Sequence, residues 1–216
     1  MKFFCRNASI TDLDSIVDLH YTNFDSKELS SILGKRFIRS FYRLCITSGP
    51  EVSVKVIKSD TGHIAAVSMV FFRYTHFEKV FKKRAILPFL ISITNNILKF
   101  QWKELWFLLN NISARNFHSY VGNNDIYDHY IGSLIIGKEN KTNPPVIIAA
   151  YKMFSENVKR LKDHCSEGVW ASVRISNKPS LKMMFDQGLK DVIQVPVITE
   201  DVLICIYRKP KNERND

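Results

Sequence analysis

Three consecutive residues that can move protons, Asp128, His129 and Tyr130, stand directly before an apolar strand pattern in the second half of the chain. A carboxyl, an imidazole and a phenol are groups that general acid–base catalysis uses. His129 ranks first among them because the unperturbed pKa of imidazole is about 6.5. The same residue types are also common as hydrogen-bonded polar groups at a strand edge. We therefore expect either proton transfer or a structural role from these three side chains.

The spacing of the other reactive residues does not indicate a metal or ATP site. His, Cys, Asp and Glu form no cluster with metal-ligand spacing, and the chain contains no Gly-x-x-x-x-Gly-Lys-Ser/Thr loop. The cysteines are isolated, without a Cys-x-x-Cys pair, at Cys5, Cys45, Cys165 and Cys205. This distribution favours a reduced, cytoplasmic chain over a disulfide framework.

Size and charge limit the possible partners. The 216 residues, of which 45% are hydrophobic, suffice for one substantial core. The net charge of +10 favours anionic partners such as nucleotides, CoA, nucleic acid or lipid headgroups, without choosing among them. The N-terminal residues lack the continuous apolar segment of a signal peptide. The longest nearly uncharged run, 85–98, is shorter than the roughly 20 residues that span a bilayer, so we expect no transmembrane helix.

The first half of the chain predicts a strand, two helices and a hairpin. A strand over 2–9 precedes Thr11, which with the acidic residues that follow it predicts the start of a helix over 12–24. Apolar residues at helical spacing predict a second helix over 27–45. Valines from Val52 onward then alternate with polar residues, and a Ser-Asp-Thr-Gly turn joins them to an apolar strand.

The segment 76–118 is long, aromatic and helix-like, and its basic residues outnumber its acidic ones. Such a segment can lie on a membrane interface or stack on nucleic acid bases. The simpler interpretation is an inserted helix whose aromatic side chains pack on the core.

The remainder of the chain predicts alternating strands and helices. Asn143 is placed to cap a helix that has Pro144 at its first position, where proline is well tolerated. Gly188 is placed to end the helix that follows. The expected elements are a strand over 129–137, a helix over 144–164, a strand over 168–176, a helix over 178–187, and strands over 191–195 and 201–208.

The stretch Val173–Val192 resembles the fifth strand and fourth helix of the GCN5-related N-acetyltransferases (GNAT). In that family the stretch runs Asn-x-x-Ala-x-x-x-Tyr-x-x-x-Gly-Phe, and the residues at the marked positions here are Asn177, Ser180, Met184, Gly188 and Leu189. The predicted order of elements is also the order of that family. The resemblance implies an α/β fold with a mixed sheet and a single domain over 1–210, with 76–118 as a helical insertion after the third strand and 211–216 as a frayed tail.

A second stretch, Leu33-Gly34-Lys35-Arg36-Phe37-Ile38 with Tyr42 after it, is similar to the Leu-Gly-x-x-Phe-Leu-x-x-x-Tyr stretch of GNAT members encoded with bacterial surface-polysaccharide enzymes. That likeness implies an N-acyltransferase that uses acetyl-CoA or another acyl-CoA as co-substrate. It implies a small-molecule acceptor, an amino sugar that is commonly nucleotide-linked. Asp128, His129 and Tyr130 would then lie near the acceptor amine.

The resemblance also implies where CoA binds. In the family, the backbone of the fourth strand pairs with the pantetheine arm and a glycine-rich loop holds the pyrophosphate. Here Pro144 and Pro145 lie in that loop and remove two N–H donors, and Met184 replaces the tyrosine that donates a proton in many members. The residues implied for the cofactor site are Leu134, Ile135, Ile136, Lys138, Lys141, Thr142, Asn143, Val146, Ile147 and Asn177.

Two other functional classes remain open. The proline-containing loop and Met184 are compatible with a catalytically silent GNAT-like binding module. The basic aromatic segment 76–118 is compatible with binding to a membrane surface or to nucleic acid, although the leading interpretation involves no nucleic acid. An exposed apolar insertion would also suit a homodimer contact.

Overall fold

The alternating apolar pattern of the chain forms one mixed sheet in the part that the computed structural model describes, which is residues 2–24, 29–98, 117–122, 124–196 and 201–210. Its strands are β1 (Phe3–Asn7), β2 (Val52–Ser59), β3 (Ile64–Phe71), β4 (Tyr130–Ile136), β5 (Gly168–Arg174), β6 (Asp191–Val195) and β7 (Val202–Arg208). The strand order is β1-β2-β3-β4-β5-β7-β6. Strands β4 and β5 run parallel, and the other neighbouring pairs are antiparallel.

Helices cover both faces of this sheet. Those in the described residues are α1 (Leu13–Asn23), α2 (Leu29–Thr47), α3 (Tyr74–Leu98), α4 (Phe117–Val121), α5 (Asn124–Asp128), α6 (Pro144–His164) and α7 (Lys178–Asp186). The α/β fold class expected from the sequence is confirmed. All eight residues of β3 are buried, because this strand lies inside the sheet with helices on both sides.

Two separate apolar layers hold the helices on the sheet. On one face, α1, α2 and the first turns of α3 pack against inward-facing residues of β2 and β3, such as Val56 and Val67. On the other face, α6 and α7 pack against β5 through residues such as Phe154 and Leu181. Each layer removes apolar surface from water, which is the main favourable contribution to folding.

Helix α2 differs from the uniform helix that its periodicity predicts. Gly34 interrupts it with φ of 78°, a left-handed conformation that glycine adopts without steric cost. The helix also runs to Thr47, two residues beyond the predicted end, and Ile46 packs against the apolar layer that holds the helix. Residues 27 and 28 of the predicted helix lie outside the described part of the chain.

Helix α3 begins the segment that the sequence predicts as an insertion. Its first turns are packed on the core, because Phe77 is 3% exposed and Phe81 lies 5.4 Å from Phe41, centroid to centroid. The aromatic residues of these turns therefore pack on the core, which is the simpler of the two interpretations that the sequence left open. Residues 99–116, which contain Trp102 and Trp106, lie outside the described part, so the extent of the insertion stays a prediction. Among the described helices, none is long and apolar enough to cross a membrane.

Candidate active site

Strands β4 and β5 pair over only two residues before they separate. Tyr130 pairs with Trp170 and Ile131 with Ala171, and no further pair joins the two strands. Strand β4 nevertheless continues to Ile136. A wedge-shaped cleft therefore opens between two parallel strands toward their carboxyl ends, as the resemblance implies.

A bulge in β4 stands at the point where the cleft opens. The register between β3 and β4 shifts so that Gly132 is an extra residue between the pairs Val70–Ile131 and Met69–Ser133. A Cβ atom on Gly132 would lie 2.8 Å from Cε2 of Phe71 and 3.1 Å from the backbone oxygen of Met69. Only glycine fits this close approach, and the bulge redirects the backbone at the mouth of the cleft.

Beyond the bulge, β4 is hydrogen-bonded on one side only. Ser133, Leu134, Ile135 and Ile136 pair with β3, and the backbone groups that point away from β3 have no strand partner among the described residues. Unpaired backbone donors and acceptors bind extended ligands that carry amide groups. The cleft therefore presents a row of polar backbone groups along one wall.

The loop after β4 leads into the N-terminus of α6. The N–H of Asn143 donates to the Asn140 oxygen at 3.0 Å, and the N–H of Ile147 donates to the Asn143 oxygen at 3.0 Å, so both groups are engaged. In the described part of the chain, no acceptor is assigned to the N–H groups of Thr142 and Val146. These two groups lie at the positive end of the α6 dipole.

Charged side chains of both signs surround this helix end. Lys138 and Lys141 are exposed. Glu139 accepts a hydrogen bond from Asn140 Nδ2 at 2.9 Å and lies 3.0 Å from His63 Nε2. The hydrogen bond from its own backbone N–H, followed by the contact with His63, holds the pKa of Glu139 below its usual value. An anion bound here would meet two lysines and one carboxylate.

Two of the three predicted proton-transfer residues are bonded to the backbone of neighbouring elements. Asp128 accepts hydrogen bonds from the N–H of Thr75, at 2.8 Å, and from its hydroxyl, which places Asp128 at the start of α3. His129 is 7% exposed, and its Nδ1 lies 2.7 Å from the backbone oxygen of Asp125. Its ring lies 5.8 Å from that of His164, on the α6 side of the sheet. These contacts favour the structural alternative for Asp128 and His129.

Tyr130 is the member of this group that reaches the diverging strands. Its hydroxyl lies 3.1 Å from the hydroxyl of Ser172, which is the first residue of β5 beyond the paired region. The Tyr130 ring packs 4.4 Å from the buried ring of Trp170, whose Nε1 donates to the Tyr127 oxygen at 2.9 Å. A rigid aromatic support thus holds a phenol and a hydroxyl across the narrow end of the cleft, on the face that carries α1 and α2.

The two residues that the resemblance implies at α7 have different environments: Met184 is buried within the helix, and Asn177 caps its N-terminus. Met184 is 5% exposed and packs in the apolar layer beneath α7, where a thioether has no proton to donate. Asn177 caps α7, because its side-chain oxygen accepts from the N–H of Ser180 at 3.3 Å. This is the cap role of Asn177, and its role toward CoA stays a prediction.

Sequence reasoning missed a partly buried polar pair between α1 and α2. His20 of α1 and Tyr42 of α2 meet through Nδ1 and Oη at 2.9 Å. The signal was present, since His20 falls on the apolar stripe of α1 beside Ile16 and Leu19. A polar residue on a buried stripe needs a partner, but the sequence does not name it.

Solved structures share this fold, although no protein-family model and no curated protein matches the chain. The protein yncA from Salmonella typhimurium, solved with its cofactor acetyl-CoA, is 9% identical, with a TM-score of 0.57 and coverage of 100% of this chain and 99% of that one. An N-acetyltransferase from Staphylococcus aureus is 10% identical, with a TM-score of 0.55 and coverage of 96% and 99%.

A third structure has the same architecture. The phosphinothricin acetyltransferase of the GNAT superfamily from Sinorhizobium meliloti, solved with acetyl-CoA, is 11% identical, with a TM-score of 0.54 and coverage of 96% of this chain and 89% of that one. At identities of 9–11%, TM-scores of 0.54–0.57 show a shared architecture and say nothing of residue roles. The chain therefore has the fold of the GCN5-related N-acetyltransferases.

Proposed function

We propose that the protein is an acyl-CoA-dependent N-acyltransferase that acylates the amino group of a small acceptor. The observation that carries this proposal is the cleft between β4 and β5, opened by two-residue pairing and by the bulge at Gly132. The cleft offers backbone groups to the amides of a pantetheine arm. A backbone N–H just beyond Gly132 is available to stabilise the negative charge that develops on the thioester oxygen during attack.

The diphosphate of CoA would bind at the N-terminus of α6. The N–H groups of Thr142 and Val146, with Lys138 and Lys141 beside them, supply the positive potential. Pro144 and Pro145 remove two donors from the loop, and the carboxylate of Glu139 opposes an anion. We therefore expect a CoA site that relies on side-chain charge more than on backbone donors, and whose affinity is sensitive to salt.

The reaction begins when the amine nitrogen attacks the thioester carbon. The carbon–sulfur bond then breaks, an amide forms and CoA leaves as a thiolate that takes up a proton. Since Met184 cannot supply this proton, we assign the donor role to the hydroxyl of Tyr130, which Ser172 orients at 3.1 Å. Proton donation to a leaving group contributes roughly 10²- to 10⁴-fold to a rate.

The acceptor that we propose is an amino sugar, commonly nucleotide-linked. The net charge of +10 and the exposed lysines and arginine in the first half of α3, Lys79, Lys82, Lys83 and Arg84, favour an acceptor that carries negative charge. Helix α3 lies on the α1 and α2 side of the sheet, the side from which an amine would meet the thioester opposite α6.

The first test measures thiol release from acetyl-CoA with a panel of amines that includes free and nucleotide-linked amino sugars. We expect turnover with at least one of them and a fall in kcat of roughly 10²-fold for Tyr130→Phe. Tyr151→Phe is the matched control, because Tyr151 is 40% exposed on α6. Absence of turnover with every amine would overturn the proposal.

The alternative function is a catalytically silent binding module that keeps the fold but has lost the reaction. The buried Met184 and the adjacent Pro144 and Pro145 favour this alternative. Titration calorimetry with CoA shows whether such a module has lost catalysis alone or CoA binding as well. Binding without turnover identifies a CoA-binding module, and absence of both identifies a protein that has kept neither activity.

A further inference from the structure

A cationic side chain stands at the carboxyl end of β5, where β4 and β5 have separated. Arg174 is the last residue of that strand and is partly exposed. Successive residues of a strand point to opposite faces of the sheet. Ala171 and Val173 pack in the apolar layer with α6 and α7. Arg174 therefore lies on the opposite face, in one row with Trp170 and Ser172.

The two flanks of Arg174 differ. On one side it pairs with Val202 of β7, which in turn pairs with Val195 of β6, and these valines are 7% and 0% exposed. On the other side β4 has moved away, since its last pair with β5 joins Ile131 to Ala171. Arg174 therefore borders the cleft on the face that carries α1 and α2, and the N-terminus of α6 lies on the other face.

Arg174 follows the proposed proton donor at a defined spacing. The Tyr130 hydroxyl lies 3.1 Å from the hydroxyl of Ser172. Ser172 and Arg174 are two residues apart on the same face, a separation of roughly 7 Å along an extended strand. An acceptor whose amine lies beside Tyr130 and whose body follows the cleft outward would reach Arg174 with its far side.

The guanidinium of arginine suits an anionic group on that far side. It carries five N–H donors in a planar fork that matches the oxygens of phosphate and carboxylate, so it can hold an anion of a ligand in addition to contacts within the chain. In the proposed binding mode the diphosphate of CoA lies at the N-terminus of α6, on the other face of the sheet. An anion at Arg174 would therefore belong to the acceptor.

On the basis of the proposed N-acyltransferase function, we propose that Arg174 is a specificity-determining residue that binds a phosphate group of the acceptor. Phosphate is favoured over carboxylate because the exposed cations of α3, such as Lys79 and Lys83, add to the positive potential on the same side of the sheet. A phosphate carries more negative charge than a carboxylate and gains more from that potential. The acceptor class is then an amine that also carries a phosphate, either as a sugar phosphate or within a nucleotide diphosphate.

The test compares three amines as acceptors for the wild type and for Arg174→Gln in the full chain, with acetyl-CoA as donor. Glucosamine carries no phosphate, glucosamine 1-phosphate carries one, and uridine diphosphate-linked glucosamine carries two. We expect the wild type to have a higher kcat/KM for at least one phosphorylated amine than for glucosamine. Arg174→Gln should lower that kcat/KM roughly 10- to 100-fold, mainly through KM of the acceptor. It should leave kcat/KM for glucosamine and KM for acetyl-CoA within about twofold of wild type.

Two further variants separate the role of the side chain from its effect on folding. Arg174→Lys keeps the charge and loses the fork, so it should reduce the preference for the phosphorylated amine by a smaller factor, and it decides if Arg174→Gln does not fold. Arg208→Gln is the matched control, because Arg208 is exposed at the other end of the same sheet and pairs with Asp191 at 3.0 Å. It should keep the wild-type preference. A wild type without this preference, or a preference that Arg174→Gln retains, would overturn the inference.

Calorimetric titration with glucosamine 1-phosphate distinguishes failure of this inference from failure of the proposed function. Binding that the wild type shows and Arg174→Gln loses, without turnover of any amine, would uphold the phosphate subsite and overturn the acyltransferase function. Turnover that does not depend on the phosphate would uphold the function and overturn the subsite. Absence of both binding and turnover overturns the two together.

Discussion

Asp12 is a buried carboxylate that links the N-terminal elements of the fold. It is 1% exposed and accepts hydrogen bonds from the Arg6 guanidinium at 2.6 and 2.7 Å and from Lys58 at 3.3 Å. Burial by itself would raise its pKa, but the hydrogen bonds from Arg6, Ser9 and Lys58 together hold the pKa of Asp12 well below its usual value. The carboxylate therefore joins β1, β2 and the turn that leads into α1.

We predict that Asp12→Ala lowers the free energy of unfolding by roughly 3 kcal/mol, because it leaves Arg6 without its buried partner. Asp14→Ala is the matched control. Asp14 also pairs with an arginine, Arg39, but both side chains are largely exposed, so the loss should stay below about 1 kcal/mol. Urea unfolding followed by circular dichroism measures both values. Equal decreases in the free energy of unfolding for the two variants would show that burial of Asp12 does not strengthen its ion pair.

Residue types alone indicated where proton chemistry is possible, whereas the direction of each side chain comes from the folded structure. Asp128, His129 and Tyr130 are adjacent in sequence, but their side chains reach α3, α6 and the cleft respectively. Tyr42 lies on a different helix from His20, 22 residues further along the chain, so no periodic pattern within one helix pairs them. Contacts between distant elements are what the sequence pattern could not supply.

At the scale of elements, Lys162 of α6 holds the C-terminal end of α7. Its Nζ donates to the backbone oxygen of Gln187, the C-cap residue that follows α7, and lies 4.0 Å from the centroid of the Tyr207 ring. A cation at a helix C-terminus and over an aromatic face is favourable in both contacts. Burial lowers the pKa of Lys162. This contact fixes α7, the helix that Asn177 begins.

We predict that Lys162→Met lowers the free energy of unfolding by about 1–2 kcal/mol, since the apolar stem is kept and both cation contacts are lost. Lys159→Met, on an exposed position of the same helix, should change it by less than about 0.5 kcal/mol. Thermal unfolding of the two variants side by side provides the measurement. A larger effect at Lys159 would contradict the role given to Lys162.

The order of the elements could be predicted because the spacing of apolar residues distinguishes helices from strands, and capping or turn residues mark where each element ends. Helix α6 runs from Pro144 to His164 and strand β6 from Asp191 to Val195, as the sequence indicates. The separation of β4 from β5 could not be predicted from apolar pattern, since paired and unpaired strand residues look alike. It was expected only through the resemblance of Asn177 and Gly188 to a known family.

At the scale of the whole molecule, stability should fall in two stages as the pH is lowered. The pKa of His20 is about 4 in the folded protein against 6.5 ordinarily, so the unfolded chain binds a proton that the folded chain does not. Stability therefore decreases by about 3 kcal/mol between these two pH values. The contribution of Asp12 is complete above its unfolded pKa of 3.8 and is lost as the pH falls below that value.

The measurement is the free energy of unfolding in urea at several pH values between 7.5 and 4. His20→Gln removes the group responsible for the first stage, and its stability should be nearly constant over that range. An unchanged slope in this variant would assign the acid sensitivity to other groups.

The unpaired side of β4 also has a consequence for association between molecules. A free strand edge at the rim of a sheet recruits other polypeptides, and proteins usually blunt it. Here the free edge lies in the interior, because β5, β7 and β6 continue the sheet across the gap. A foreign strand cannot add to such an edge, whereas a slender, extended molecule can enter lengthwise. The unpaired backbone groups of β4 therefore stay available to an extended ligand, while strands of other molecules cannot pair with them and cause aggregation.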